Sequence, residues 1–147
     1  MADLDDLARR SADSMWADDA ASRMLGMKIV AVGPGTATVS MAVREDMING
    51  WGLCHGGLVA SLADSAFAVA CNSHGEVTVA AGFDVSFLEA ARLGDELVAV
   101  ASERALRSRS GVYDVTVRRA SDDSAIAEFR GRSRSTGRTN PGAQHEA

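Results

Sequence analysis

Between residues 36 and 43 the chain reads TATVSMAV, with Ala37, Val39, Met41 and Val43 on one side and Thr36, Thr38 and Ser40 on the other. A period of two marks a half-buried strand. Gly33-Pro34-Gly35 before it is a tight-turn signal. Upstream, Leu4, Leu7, Met15, Met24 and Leu25 are the apolar contacts of a helix predicted over residues 3–25. Residues 44–55, with Gly50, Gly52 and Asn49, form a loop. From Gly56 to about Asn72 the period changes. Leu58, Val59, Leu62, Ala63, Ala66, Phe67 and Ala70 recur at helical spacing, and the other positions are mostly Ala and Ser. A helix apolar nearly all round is expected to be buried. Four strand-like runs follow, VTVAAGFDVSFL, DELVAVASERAL, VYDVTVRRA and AIAEFRGRSRS, separated by the turn signals RLGD, RSRSG and SDDS. The order predicts an α+β fold in which an antiparallel sheet wraps one long central helix. A single domain is expected over residues 1–136. The polar segment 137–147, with Asn140-Pro141, is expected to be a disordered tail.

Composition removes several function classes. The chain has 147 residues and a formal net charge of −5, which does not suit a nucleic-acid binder. Its best candidate for a membrane span, Gly56 to Cys71, is short and carries Asp64. The opening MADLDDLARR is unlike a cationic, apolar secretory signal. Cys54 and Cys71 give no disulfide framework, so the cytoplasm is the expected compartment. The charge is uneven, however. Residues 104–138 hold nine Arg against four acids, whereas residues 1–103 hold six basic against fifteen acidic residues. Solvated strand faces explain this, and so does a polyanionic small ligand.

The candidate chemistry is concentrated in NGWGLCHGGLVASLADSAF, residues 49–67. Cys54-His55 and Cys71-x-x-His74 have the residue types of zinc ligands, but the helix between them separates the pairs by about 24 Å, so no shared metal site is expected. His55 is also poorly placed to activate its sequence neighbour Cys54, and both cysteines read as small buried hydrophobes. Gly56 and Gly57 at a helix start are either turn residues or a place where bare N–H groups meet an anion or a developing oxyanion. Asp64, on a buried helix, is either a structural acid held by Ser61 or Ser65 or a carboxylate with a raised proton affinity, suited to act as base or nucleophile. Gly56 and Asp64 are eight residues apart, about 12 Å along one helix, so they cannot serve one carbonyl from the same chain. Two such helices antiparallel across a two-fold axis would bring Asp64 of one chain to Gly56 of the other.

With these residues laid out, Asn49, His55-Gly56-Gly57 and Asp64 resemble the signature of the hotdog-fold thioesterases. The likeness extends through FDVSFLEAARLGDELVAVA, SGVYDVTV and AEFRGRSRS, over roughly residues 20–137, and is densest with the phenylacetate-degradation branch. The resemblance implies a hotdog fold of five or six antiparallel strands around the helix, a homodimer as the minimal active unit, and pairing of dimers into a homotetramer. It implies hydrolysis of an acyl-CoA ester of the phenylacetyl or hydroxyphenylacetyl type, with coenzyme A as part of the substrate and no separate cofactor, nucleic acid or membrane partner. By the same carry-over Asp64 is the catalytic carboxylate, Gly56 supplies the carbonyl-polarising N–H, Asn49 orients water or carboxylate, and His55 braces the turn. Gly57, Gly82, Phe87, Arg107, Arg109, Ser110, Arg132 and Arg134 line the coenzyme A path, since Arg suits phosphate. Related enzymes place a Ser or Thr on the strand after the helix; here Ala80 and Ala81 stand there, with Thr78 a substitute. Met47, Ile48 and Trp51 are candidates to meet the acyl group or, equally, packing residues at the interface. A hotdog hydratase using His55, or a non-catalytic acyl-CoA binder, are the competing readings.

Overall fold

The structure, a computed structural model, describes residues 3–144. Its strands are β1 (Lys28–Gly33), β2 (Thr36–Ala42), β3 (Glu76–Phe87), β4 (Glu96–Arg107), β5 (Ser110–Arg119) and β6 (Ala125–Thr139). They form one six-stranded sheet in the order β1-β2-β4-β5-β6-β3, with every neighbouring pair antiparallel. The long helix α3 (Gly56–Cys71) packs across β2, β4 and β5. This is the hotdog arrangement that the resemblance implies.

Strand alternation places the core. On β5, Tyr113, Val115 and Val117 face α3 and are buried, while Asp114 and Thr116 between them are half-exposed. Val39 and Met41 of β2 and Leu97 and Ala99 of β4 complete the layer against Leu62, Ala63, Ala66 and Phe67 of α3. The Phe67 ring is tilted against Tyr113 and Phe129 at centroid distances of 5.5 and 5.8 Å. Burying such side chains contributes about 1.5–3 kcal/mol each. The opposite side of α3, with Ser61, Asp64 and Ser65, is only half-buried in a single chain. All-round burial therefore does not hold for the isolated protomer.

Three expectations change. The N-terminal helix is not continuous over residues 3–25: α1 (Leu4–Ala17) stops, and α2 (Ala20–Met24) restarts after Asp19. Asp19 caps the second helix by accepting the Ser22 N–H at 2.9 Å, and Asp is a strong cap former. The sixth strand is β1, which the sequence pattern does not separate from its surroundings. Its Ile29-Val30-Ala31-Val32 run has no polar alternation, and its register slips between Ile29 and Ala31. The segment expected to be a disordered tail instead extends β6 to Thr139 and forms a 3-10 turn at Pro141–Ala143. Asn140, buried, donates to the Ser11 carbonyl and accepts the Gly142 N–H at 2.8 Å, while Arg10 donates to the Gly142 carbonyl at 2.8 Å. Polar composition suggests disorder, but these polar atoms have partners on α1. The rest of that tail, residues 145–147, lies outside the described residues.

The β3 strand ends the sheet with its outer edge unpaired among the described residues, and leaves Val79, Phe83 and Phe87 exposed by 50%, 42% and 54%. No helix among the described residues is long and apolar enough to cross a membrane.

Candidate active site

The loop before α3 is shaped by Asn49. Its Oδ1 accepts the N–H groups of Trp51 (2.9 Å) and Leu53 (3.2 Å), and its own N–H donates to the Leu53 carbonyl at 2.7 Å. A bridge between Ile48 and Cys54 closes the loop. The Asn49 amide nitrogen has no acceptor among the described residues and stays available. Met47, a candidate acyl contact in the sequence, is instead 2% exposed within the core. Ile48 packs against that core, and Trp51 stands at the loop tip, 89% exposed.

His55 is the N-cap of α3. Its N–H donates to the Met47 carbonyl at 2.8 Å, its Nδ1 accepts the Gly57 N–H at 3.2 Å, and its carbonyl accepts the N–H groups of Leu58 and Val59. Three of the four donors that a helix start leaves over are thereby satisfied. Gly56 N–H alone has no acceptor among the described residues. Gly56 lines a cavity of about 350 Å³ with Asn49, Leu53, Val59, Phe87 and Ile126. The Phe87 ring lies directly on Gly56, where a Cβ would come within 3.1 Å of it. Phe87 thus belongs to this cavity, where the resemblance placed it along the coenzyme A path.

Asp64 does not line that cavity; it lies two turns further along α3. The two serines proposed to hold it are otherwise engaged: Ser61 Oγ donates to the Gly57 carbonyl at 2.8 Å, and Ser65 Oγ is 2.8 Å from Ser22 Oγ. No donor reaches the Asp64 carboxylate among the described residues. Desolvation raises its pKa above the ordinary 3.8, and the negative charge of Asp19 raises it further.

The basic residues divide. Arg107, Ser110, Arg132 and Arg134 line a second cavity of about 440 Å³. Arg134 donates to Ser110 Oγ at 3.3 Å, and Arg132 to Asp84 Oδ2 at 2.9 Å. The Arg132 guanidinium lies over Gly82, where a Cβ would stand only 2.8 Å away, so glycine there makes room for it. Arg109 does not join them. The β4–β5 turn, with Ser108 at φ 53°, sends it to a 190 Å³ cavity with His74 and Tyr113. Arg130, on the same strand face as Arg132 and Arg134, is taken by Asp114 at 2.7 and 2.9 Å. Thr78 donates its hydroxyl to the Glu76 carbonyl at 3.0 Å, which ties up the substitute hydroxyl. Cys54 and Cys71 are buried at opposite ends of α3, and burial pushes the Cys71 thiol up to about 12.

Two supports of this site escape the sequence pattern. Residues 88–91 wall the 350 Å³ cavity, and Cys54 N–H donates to the Ala91 carbonyl at 2.8 Å. Arg119 holds that wall by donating to Asp95 at 3.0 Å and to the Ala90 carbonyl at 2.7 Å. Nothing local in VRRA distinguishes Arg119 from Arg118. The other support is Asp19, whose Asp-Ala-Ala-Ser context carries a cap signal.

A family model described as the thioesterase superfamily matches residues 52–126. The acyl-coenzyme A thioesterase PaaI of Escherichia coli K12 is 40% identical over 132 residues, covering 90% of this chain and 94% of that protein. The structure of the E. coli PaaI protein from the phenylacetic acid degradation operon superposes with a TM-score of 0.91 at 39% identity, covering 93% of this chain and 99% of that one. A mutant of the phenylacetic acid degradation protein PaaI from Thermus thermophilus superposes with a TM-score of 0.74 at 34% identity, over 77% of this chain and 96% of that one.

Proposed function

This chain belongs to the thioesterase superfamily, and on that premise we propose that it hydrolyses acyl-CoA esters of the phenylacetyl or hydroxyphenylacetyl type, with Asp64 of one protomer acting at the Gly56 helix start of another. The carrying observation is the Gly56 N–H, the one bare donor of its helical turn, on an apolar cavity beside the free amide of Asn49. In the reaction Asp64 takes a proton from water oriented by Asn49 as the water oxygen attacks the thioester carbon. The carbonyl oxygen becomes an oxyanion that accepts the Gly56 N–H, and the helix dipole favours that charge. The C–S bond then breaks, and the thiolate leaves as coenzyme A and takes up a proton. Attack by Asp64 itself, through a mixed anhydride, uses the same groups.

Leu53, Val59, Phe87 and Ile126 give the cavity the apolar lining that an aromatic acyl group requires. The homology with proteins of phenylacetic acid degradation supports the same choice. The cavity lined by Arg107, Ser110, Arg132 and Arg134 suits the coenzyme A phosphates. The Arg132–Asp84 pair is exposed and worth at most about 1 kcal/mol, so a phosphate can displace Asp84. The two-protomer arrangement is supported by the roughly 12 Å that separates Asp64 from Gly56 within a helix. It is also supported by the unpaired β3 edge with its exposed Val79, Phe83 and Phe87, which suits a second copy; a tetramer then pairs two such dimers. His55, occupied in capping α3, is a poor acid–base group for a hydratase.

The test is thiol release across a panel of CoA esters, wild type beside Asp64→Ala and Asp64→Asn. Wild type is expected to turn over aryl-acetyl esters and both variants to lose that activity. Equal rates in all three would overturn the assignment, and binding without turnover in the wild type would mark an acyl-CoA carrier.

A further inference from the structure

The α1–α2 junction touches α3 beside Asp64. Asp19 Oδ1 accepts the Ser22 N–H at 2.9 Å, and Oδ2 accepts the Ser22 hydroxyl at 2.7 Å. Ser22 is 3% exposed, and its oxygen lies 2.8 Å from Ser65 Oγ. A hydroxyl has one proton, so with Ser22 donating to Asp19 it is Ser65 that donates to Ser22. The chain Ser65 to Ser22 to Asp19 therefore has one direction, and it ends on a carboxylate. Ser65 adjoins Asp64 in sequence, on the half-buried side of α3.

We infer that Asp19 is a positioning residue for Asp64: through Ser22 and Ser65 it fixes the turn of α3 that carries the catalytic carboxylate, and it presents a second negative charge to it. The inference rests on the proposed role of Asp64. Two titratable groups among the described residues act electrostatically with Asp64, Asp19 from the α1–α2 junction and the Cys71 thiol further along α3. Desolvation is the larger cause of its raised proton affinity, and Asp19 adds to it. A base with a higher proton affinity draws a proton from water more strongly, provided the working pH keeps it ionised. The N-terminal segment, which the hydrophobic pattern presents only as packing, thereby acts on the reaction.

The test is the pH profile of kcat/KM for wild type, Asp19→Asn, Asp19→Glu and Asp64→Asn with phenylacetyl-CoA. Asn at position 19 keeps an acceptor for the Ser22 N–H and removes the charge. The acid limb of Asp19→Asn is expected to move to lower pH, with kcat at neutral pH reduced about 2–10-fold and KM little changed. Asp19→Glu, which restores the charge, should keep the limb near its wild-type position. Should Asp19→Asn misfold, Asp19→Ser provides a neutral cap oxygen and is read the same way. An unmoved limb in the neutral variants, with or without a lower Tm, reduces Asp19 to a helix cap and overturns the inference. Wild-type turnover by Asp64→Asn instead overturns the proposed role of Asp64, and the inference with it. An inactive Asp64→Asn beside an unmoved Asp19→Asn limb removes the inference alone.

Discussion

The two ends of α3 draw on similar residue types and finish them differently. At the C-terminal end, the Asn72 amide donates to the carbonyls of Ala68 and Thr78 and accepts the Thr78 N–H, each at 2.9 Å. Ser73 donates to the Ala70 carbonyl at 2.7 Å and accepts the Gly35 N–H at 2.8 Å. Glu103 accepts from Tyr113 and bonds His74, both at 2.7 Å. At the N-terminal end, Asn49 and His55 complete the loop and the cap, yet the Asn49 amide nitrogen and the Gly56 N–H remain without partners among the described residues, and so does Asp64 further along. The C-terminal end closes on itself, whereas the N-terminal end keeps free donors among the described residues, at the place where the proposed reaction would use them.

Substitutions at the two ends should therefore separate activity from stability. The largest effect expected is from Asp64→Asn, a loss of about 10²–10⁴ in kcat, measured by thiol release, with cooperative unfolding retained. At the other end, Asn72→Ala removes three partly buried hydrogen bonds and should cost about 2–3 kcal/mol in denaturant unfolding, with kcat per folded molecule nearly unchanged. Should Asn72→Ala silence catalysis without unfolding, the contrast between the ends is broken. Gly56→Ala is expected to be smaller. Its Cβ would push the exposed Phe87 ring by a few tenths of an ångström, for a loss of about fivefold in kcat/KM that Phe87→Leu recovers.

The smallest and sharpest test is the sign of the pH dependence. Burial pushes the Glu103 carboxyl up, but its bonds with Tyr113 and His74 more than offset this and hold it below the ordinary 4.5. It contributes stability that is present above that value and lost as pH falls through the folded-state value. Asp64 is shifted the other way, upward from 3.8. Its folded form binds a proton more readily, so its ionisation lowers stability as pH rises through that window. Asp64→Asn should thus raise Tm at neutral pH and have little effect in acid, whereas Glu103→Gln should lower Tm at neutral pH and have little effect in acid. Thermal scans across pH that give both variants one sign would remove the distinction.

What the sequence shows follows the range of the interactions involved. Alternation in β2 and the apolar run of α3 are local periods, and both elements stand where those periods put them. Asn49, Gly56 and Asp64 are legible because an amide, a glycine pair and an acid are out of place in an apolar stretch. β1 is not, since it lies at the sheet margin and carries no alternation to detect. The fate of the arginines is not legible either. Arg107 and Arg109 are two residues apart, and only the handedness of the turn at Ser108 sends them to different cavities. Phe87 meets Gly56 because of the β3–β6 register, which slips between Ala80 and Gly82, and register is a property of two strands together.

The open side of β3 also bears on how the protein fares at low abundance. A bare strand of 12 residues that carries two exposed phenylalanines offers its unpaired backbone groups to another strand, and the two-protomer arrangement proposed above would cover it. Heat resistance should then climb with the amount of protein in the tube, as mass action demands, and dilution should weaken the molecule before any chemical denaturant is added.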